Sequence, residues 1–224
     1  MNKKRILTAA VSLSLVAVVG IGATLAYFTD KTEVATNVFT TGNVNVSLID
    51  QAFKNDSDAT WTFAENGSGY TYSNIMPGDK LGKNVAVQIE DGSQDCYVAV
   101  RVQIKNNNDP EGLTTDMSEL YQQVVDASAI HNWLYAETGD SIVFYYPTAL
   151  TNTSAENIAP LFSYLTVPKT WSNEYLTADL NINVQAAAVQ AVNLGAPTAV
   201  AEGSRVADTT GECVIELNKL LFAE

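Results

Sequence analysis

The sequence predicts an all-β protein, a β-sandwich with short helical insertions, preceded by an N-terminal signal helix. Three observations carry that expectation. Apolar and polar residues alternate over several short runs, turn-forming residues separate those runs, and one interval shows clear helical spacing.

The chain begins with a charged cluster, Lys3, Lys4 and Arg5, followed by an uncharged run from Ile6 to Ala26. A basic start, an apolar middle and small residues near the end describe a secretory signal. Thr24 and Ala26 stand at −3 and −1 of a cleavage site between Ala26 and Tyr27. A retained membrane anchor is the rival, since the run is long enough to span a bilayer. Its small residues and the helix-breaking Gly20 and Gly22 oppose that rival. The expected organisation is a signal peptide over 1–26, a β domain over 27–195, and a linker and C-terminal tail over 196–224.

Val44-Asn45-Val46-Ser47-Leu48 is the first alternating run of the mature part, and Val85 to Ile89 is another. Tyr97 to Ile104 is the clearest, with Val98, Val100, Val102 and Ile104 on one face and Arg101 and Gln103 on the other. Ser141 to Tyr146 is rich in β-formers, and Leu180 to Ala186 alternates again. Val189 and Val192 break the parity of that last run, so a bulge or twist is expected there. Turn signals at Asn66-Gly67, Pro77-Gly78-Asp79, Asp91-Gly92 and Gly139-Asp140 punctuate the series.

Met117, Leu120, Tyr121 and Val124 follow i, i+3, i+4, i+7 spacing, and Asp116 with Glu119 forms a capping pair. Ser154 to Leu165 is a weaker helical candidate that Pro160 would interrupt. Residues Gly195 to Gly211 are rich in Ala, Thr, Gly and Ser and read as a linker. Beyond them Val214, Leu217, Leu220 and Leu221 stand at helical spacing, as a short docked helix or a frayed end.

The formal net charge is −13. Without Lys3, Lys4 and Arg5, nine basic residues of the 12 face 25 acidic ones, for −16. Such a surface repels phosphate backbones and anionic lipid, so nucleic acid is excluded as a partner and the membrane enters only through the signal peptide before cleavage. Cys96 and Cys213 are candidates for a disulfide closing a long loop, which would stabilise by roughly 4–5 kcal/mol if the geometry allows. The alternative is two unpaired thiols.

Catalytic chemistry has little to draw on. His131 is the one histidine, no His-Glu-x-x-His is present, and a histidine at a helix end near Trp133 is a structural residue first. The same lone histidine would have to serve any Ser-His-Asp site, and no Gly-x-Ser-x-Gly elbow accompanies it. Asn107-Asn108-Asp109-Pro110-Glu111-Gly112 resembles the start of a calcium loop, but its twelfth position is Ser118, with Glu119 out of register, so a polar turn is expected. No catalytic residue, cofactor or metal site is therefore expected. Trp61, Trp133 and Trp171, with Tyr70 and Tyr72 beside the first, could stack on sugars, although core packing accounts for most aromatics.

Three stretches resemble one known family. Gly20 to Leu48 carries Phe28, Asp30, Gly42 and Val44-Asn45-Val46, Asn74 to Leu81 carries a Pro-Gly-Asp turn, and Asn183 to Ala191 is a late Ala/Gln strand. In this order and spacing they resemble TasA and camelysin-type proteins. The resemblance implies a jelly-roll sandwich, export through a SipW-type signal peptidase, and a secreted subunit of biofilm matrix fibres. It also implies that an N-terminal segment pairs as a strand with the next subunit. Here the donor is Tyr27 to Thr41, with Tyr27, Phe28, Asp30, Val34, Val38 and Phe39 as the assembly residues; the alternative is that this segment forms the first strand of its own sheet. Other copies of the chain or related matrix subunits are then its partners. A monomeric surface module binding polysaccharide is the alternative, and a camelysin-type metallopeptidase comes third. The two cysteines and the tail after Gly195 depart from the family's pattern. No Leu-Pro-x-Thr-Gly signal is present, so covalent wall attachment by that route is not expected.

Overall fold

The computed structural model describes residues 37–41, 43–106, 117–153, 157–171 and 179–223. Ten strands and two helices lie in them. The strands are β1 (Val38–Thr40), β2 (Val46–Phe53), β3 (Thr62–Glu65), β4 (Gly69–Ser73), β5 (Lys80–Ile89), β6 (Cys96–Asn106), β7 (Leu134–Thr138), β8 (Ser141–Tyr145), β9 (Ile158–Thr166) and β10 (Leu180–Gln190). The helices are α1 (Ser118–Ala129) and α2 (Glu212–Leu221). The protein is all-β, with mostly antiparallel sheets.

The larger sheet runs β3-β4-β10-β6-β8-β7, with β1 added beside β10, and the smaller runs β2-β5-β9. β6 and β10 form the spine, paired without interruption from Leu180↔Asn106 to Gln190↔Cys96. Strict alternation makes this possible. Cys96, Val98, Val100, Val102 and Ile104 all point inward and are fully buried, as are Leu180, Ile182, Val184, Ala186 and Ala188. Val85, Val87, Ile89, Ala159, Leu161 and Leu165 of the smaller sheet complete the same core.

A second cluster lies on the outer face of the larger sheet. Cys213, Val214, Leu217 and Leu221 of α2 cover Ala99, Val143, Tyr145, Ala187 and Val189 there. This resolves the parity change expected as a bulge: β10 stays in register through Gln190. Both of its faces are buried at this end, so Val189 needs no bulge to be apolar. Val192 lies beyond the strand and is exposed.

The stretch expected as a linker and tail is therefore part of this body. Residues 204–207 also line the edge of β7, where Tyr135 N donates to Arg205 O and Ala207 N donates to Tyr135 O. The Arg205 guanidinium bonds Trp133 O, Val125 O and Ser128 Oγ, tying the segment to the end of α1.

Two helical expectations change. α1 begins at an N-cap of Met117 with no side-chain cap, so Glu119 forms no capping box; Asp116 lies outside the described residues. The described part of the Ser154 to Leu165 candidate is not helical. From Ile158 it is β9, an edge strand, and an edge is where a strand tolerates Pro160.

Candidate functional site

Function by strand addition depends on which sheet edges are covered. The outer side of β9 is closed by α1: the Gln123 amide donates to Thr166 O (2.9 Å) and accepts from Thr166 N (2.7 Å). Trp133 Nε1 donates to Pro160 O nearby. The β7 edge is closed by residues 204–207, as above. β2 and β3 end their sheets, and all four residues of β3 are exposed.

β2 and β3 stay open as end strands, and a further open stretch lies within the larger sheet, along the part of β10 that β4 does not reach. β6 occupies one side of β10 along its whole length, so every other partner lies on the opposite side. β4 covers only Leu180 to Asn183 there. β1 covers the next stretch in parallel, through Val38↔Ala186, Phe39↔Ala187 and Thr40↔Ala188. Ala186 N donates to Asn37 O (2.7 Å), and Thr41 N donates to Ala188 O (3.1 Å). Val38 packs against the core between the sheets, and Phe39 packs against the cluster under α2. Val38 and Phe39 are thus brought together at one edge, in their own chain. Ala26, Tyr27, Phe28, Asp30 and Val34 lie outside the described residues, as does the 107–112 loop.

A second feature was missed from the sequence. Val46, Leu48, Asp50 and Ala52 face inward on β2, and Leu81, Lys83, Val85, Val87 and Ile89 share the inward parity of β5. Each strand therefore turns one charge toward the core. Lys83 Nζ stands 2.5 Å from Asp50 Oδ1, with the lysine side chain fully buried and that of Asp50 11% exposed. Burial lowers the Lys83 pKa and raises that of Asp50, against the attraction between them. Two charged residues on inward parities of adjacent strands are the signal that could have found this pair.

Beside the pair lies an open groove of about 540 Å³ lined by Gln51, Phe53, Tyr70, Asn84, Ser163 and Tyr164. Phe53 and Tyr164 meet edge to face, and Lys80 Nζ stands 3.8 Å from the Tyr164 ring centroid. The tryptophans are not available for such a surface: Trp61, Trp133 and Trp171 are all buried, and so is Tyr72. The outer face of the larger sheet, beside the end of α2, carries a polar network instead, with the Arg101 guanidinium 4.7 Å from the Phe222 ring centroid. Asp140 pairs with Arg101 (3.1 Å) and Lys105 (2.9 Å) and accepts from Gln103, which is linked through Asn183 to Asn66.

The disulfide is not formed. Cys96 and Cys213 are free and buried. Cys96 points between the sheets, whereas Cys213 lies on the opposite face of the larger sheet under α2, so the sheet itself separates them. Burial pushes both thiols up to about 12, with the Asp95 charge adding to the effect at Cys96. His131 follows α1 next to Trp133, half-buried. Among the described residues no three His, Cys, Asp or Glu side chains gather where they could hold a metal ion.

These features define a class: a mostly antiparallel, two-sheet all-β protein whose first described strand fills an open stretch beside β10. No family model, curated protein or solved structure matches the chain.

Proposed function

We propose that the chain is an exported structural protein of the extracellular matrix, a jelly-roll subunit of the TasA/camelysin type. It forms or joins fibres by donating its N-terminal segment to a neighbouring copy. One observation carries the reading: β1 is a three-residue strand whose ladder contacts all go to a stretch of β10 that β4 leaves open. The contacts it makes in its own chain are those it would make in the next one. Exchange therefore costs little beyond association, and such head-to-tail contacts do not close. The mature protein begins at Tyr27 after release by a SipW-type peptidase, and Tyr27 to Thr41 is the donor. Removal of this segment should abolish assembly and leave a folded acceptor.

A second reading draws on the groove. Phe53, Tyr70 and Tyr164, with the amides of Gln51 and Asn84, offer ring faces and hydrogen-bonding groups of the kind that bind polysaccharide. In that reading the protein is a monomeric surface module. Retention on matrix polysaccharide, lost with Tyr164→Ala, distinguishes it from the fibre reading.

A further inference from the structure

We infer that Lys83 and Asp50 are the site of a self-generated isopeptide bond joining Lys83 Nζ to Asp50 Cγ. This covalent cross-link between β2 and β5 is independent of the assembly proposed above.

The argument begins with placement. Asp50 pairs with Val85 and Lys83 with Ala52, so the two residues are diagonal neighbours on one face of an antiparallel pair. A long side chain reaches across that diagonal. The strands are held close: a Cβ at Gly82 would lie 2.2 Å from Phe53 O, a separation only glycine permits. Tyr72 Oη donates to Gly82 O (3.0 Å), fixing the backbone one residue before the lysine. The Tyr70 ring lies 4.7 Å from Nζ, and its hydroxyl stands 3.4 Å from Asp50 O and from Glu65 Oε1. Nucleophile and electrophile are thus in contact, immobilised and screened by aromatic rings.

The energetics favour the reaction over the ion pair. A buried lysine and carboxylate each lose hydration that their mutual attraction only partly restores. Burial pushes the ammonium towards the amine and the carboxylate towards the acid, and the Glu65 charge further opposes ionisation of Asp50. Those neutral forms are the ones that condense. The ammonium gives a proton to the carboxylate, and the lone pair on Nζ then attacks Cγ and forms the C–N bond. The C–OH bond breaks, and the hydroxyl leaves with the second amine proton as water. No electron is transferred and no co-reactant is needed. The Asp50 side chain keeps 11% exposure, which gives the water a way out. The amide retains neither charge, which removes the cost of keeping two ions out of water.

Intact mass spectrometry of the purified exported protein, under reducing and denaturing conditions, tests this directly. The expected mass is lower by one water than that calculated for the chain as purified, from its own N-terminus. Proteolysis should yield a branched peptide that joins the segments around residues 50 and 83, which separates the bond from water loss at Asp91-Gly92. Asp50→Asn should replace the water loss by loss of one ammonia, since an amide can serve as the acyl donor. Lys83→Arg should show neither loss. A folded wild-type protein with the full calculated mass of the chain as purified, and with residues 50 and 83 on separate peptides, would overturn the inference whether or not the variants fold.

Discussion

Phe39 lies opposite Ala187 in the parallel pairing of β1 with β10, one residue after Val38 has turned towards the core between the sheets. Each anchor is half-buried, so truncation removes only part of a full side-chain burial. Val38→Ala and Phe39→Ala should each weaken docking of β1 by about 1–2 kcal/mol. The Ala186 amide, which donates to Asn37 O, reports on this contact. Its hydrogen exchange should accelerate by roughly tenfold in either variant, while amides in the centre of β6 stay protected.

The thiols give a second check. Cys96 and Cys213 are buried on opposite faces of one sheet and are held protonated at neutral pH. Without reductant, the native protein should react slowly with a thiol reagent and the unfolded protein should yield both thiols. A single intramolecular disulfide found by peptide mapping would contradict this arrangement.

Asp140 carries the pH prediction. Burial works against its ionisation, but hydrogen bonding and charge from Lys105 and then Arg101 outweigh it and hold the carboxyl below its usual range. A lowered folded-state pKa stabilises fully above the ordinary carboxylate value of about 4, and the contribution is lost as the pH falls through the depressed value. Asp140→Asn should therefore be less stable than wild type at pH 7, with the gap closing towards pH 3. Urea midpoints across that range measure it, and a gap independent of pH would rule out the charge as its cause.

α2 is integral to the fold. Leu217 is fully buried against the outer face of the larger sheet, and Tyr145 Oη donates to Asn218 Oδ1 (2.7 Å). Leu217→Ala should cost about 2–5 kcal/mol in urea unfolding. A chain ending at Gly195 should expose the apolar cluster and aggregate.

The alternating runs were readable because a strand buried on one face must repeat with period two, and β6 and the first half of β10 obey that rule, whereas β8 is buried on both faces and was legible only from its β-forming residues. β9 was misread because its apolar residues sit on an edge covered by α1, where Ala159, Leu161, Phe162 and Leu165 do not alternate cleanly. β3, β4 and β7 are short, and their aromatic or exposed residues carry no strong period. The role of the segment after Gly195 was hidden because Arg205 acts through backbone carbonyls, which no motif records. Of the candidate site, the donor anchors Val38 and Phe39 were read from a family resemblance. The Lys83–Asp50 pair was missed because a lysine in an apolar run looks like a solvated residue until its parity is counted.

Electron microscopy of protein beginning at Tyr27, beside a version lacking Tyr27 to Thr41, tests the central claim most directly. The account predicts fibres from the first and folded monomers from the second, with assembly restored when the missing segment is supplied on another copy. Monomers from both, at high concentration and across a range of pH, would contradict assembly by strand donation and leave the groove-based binding module in its place.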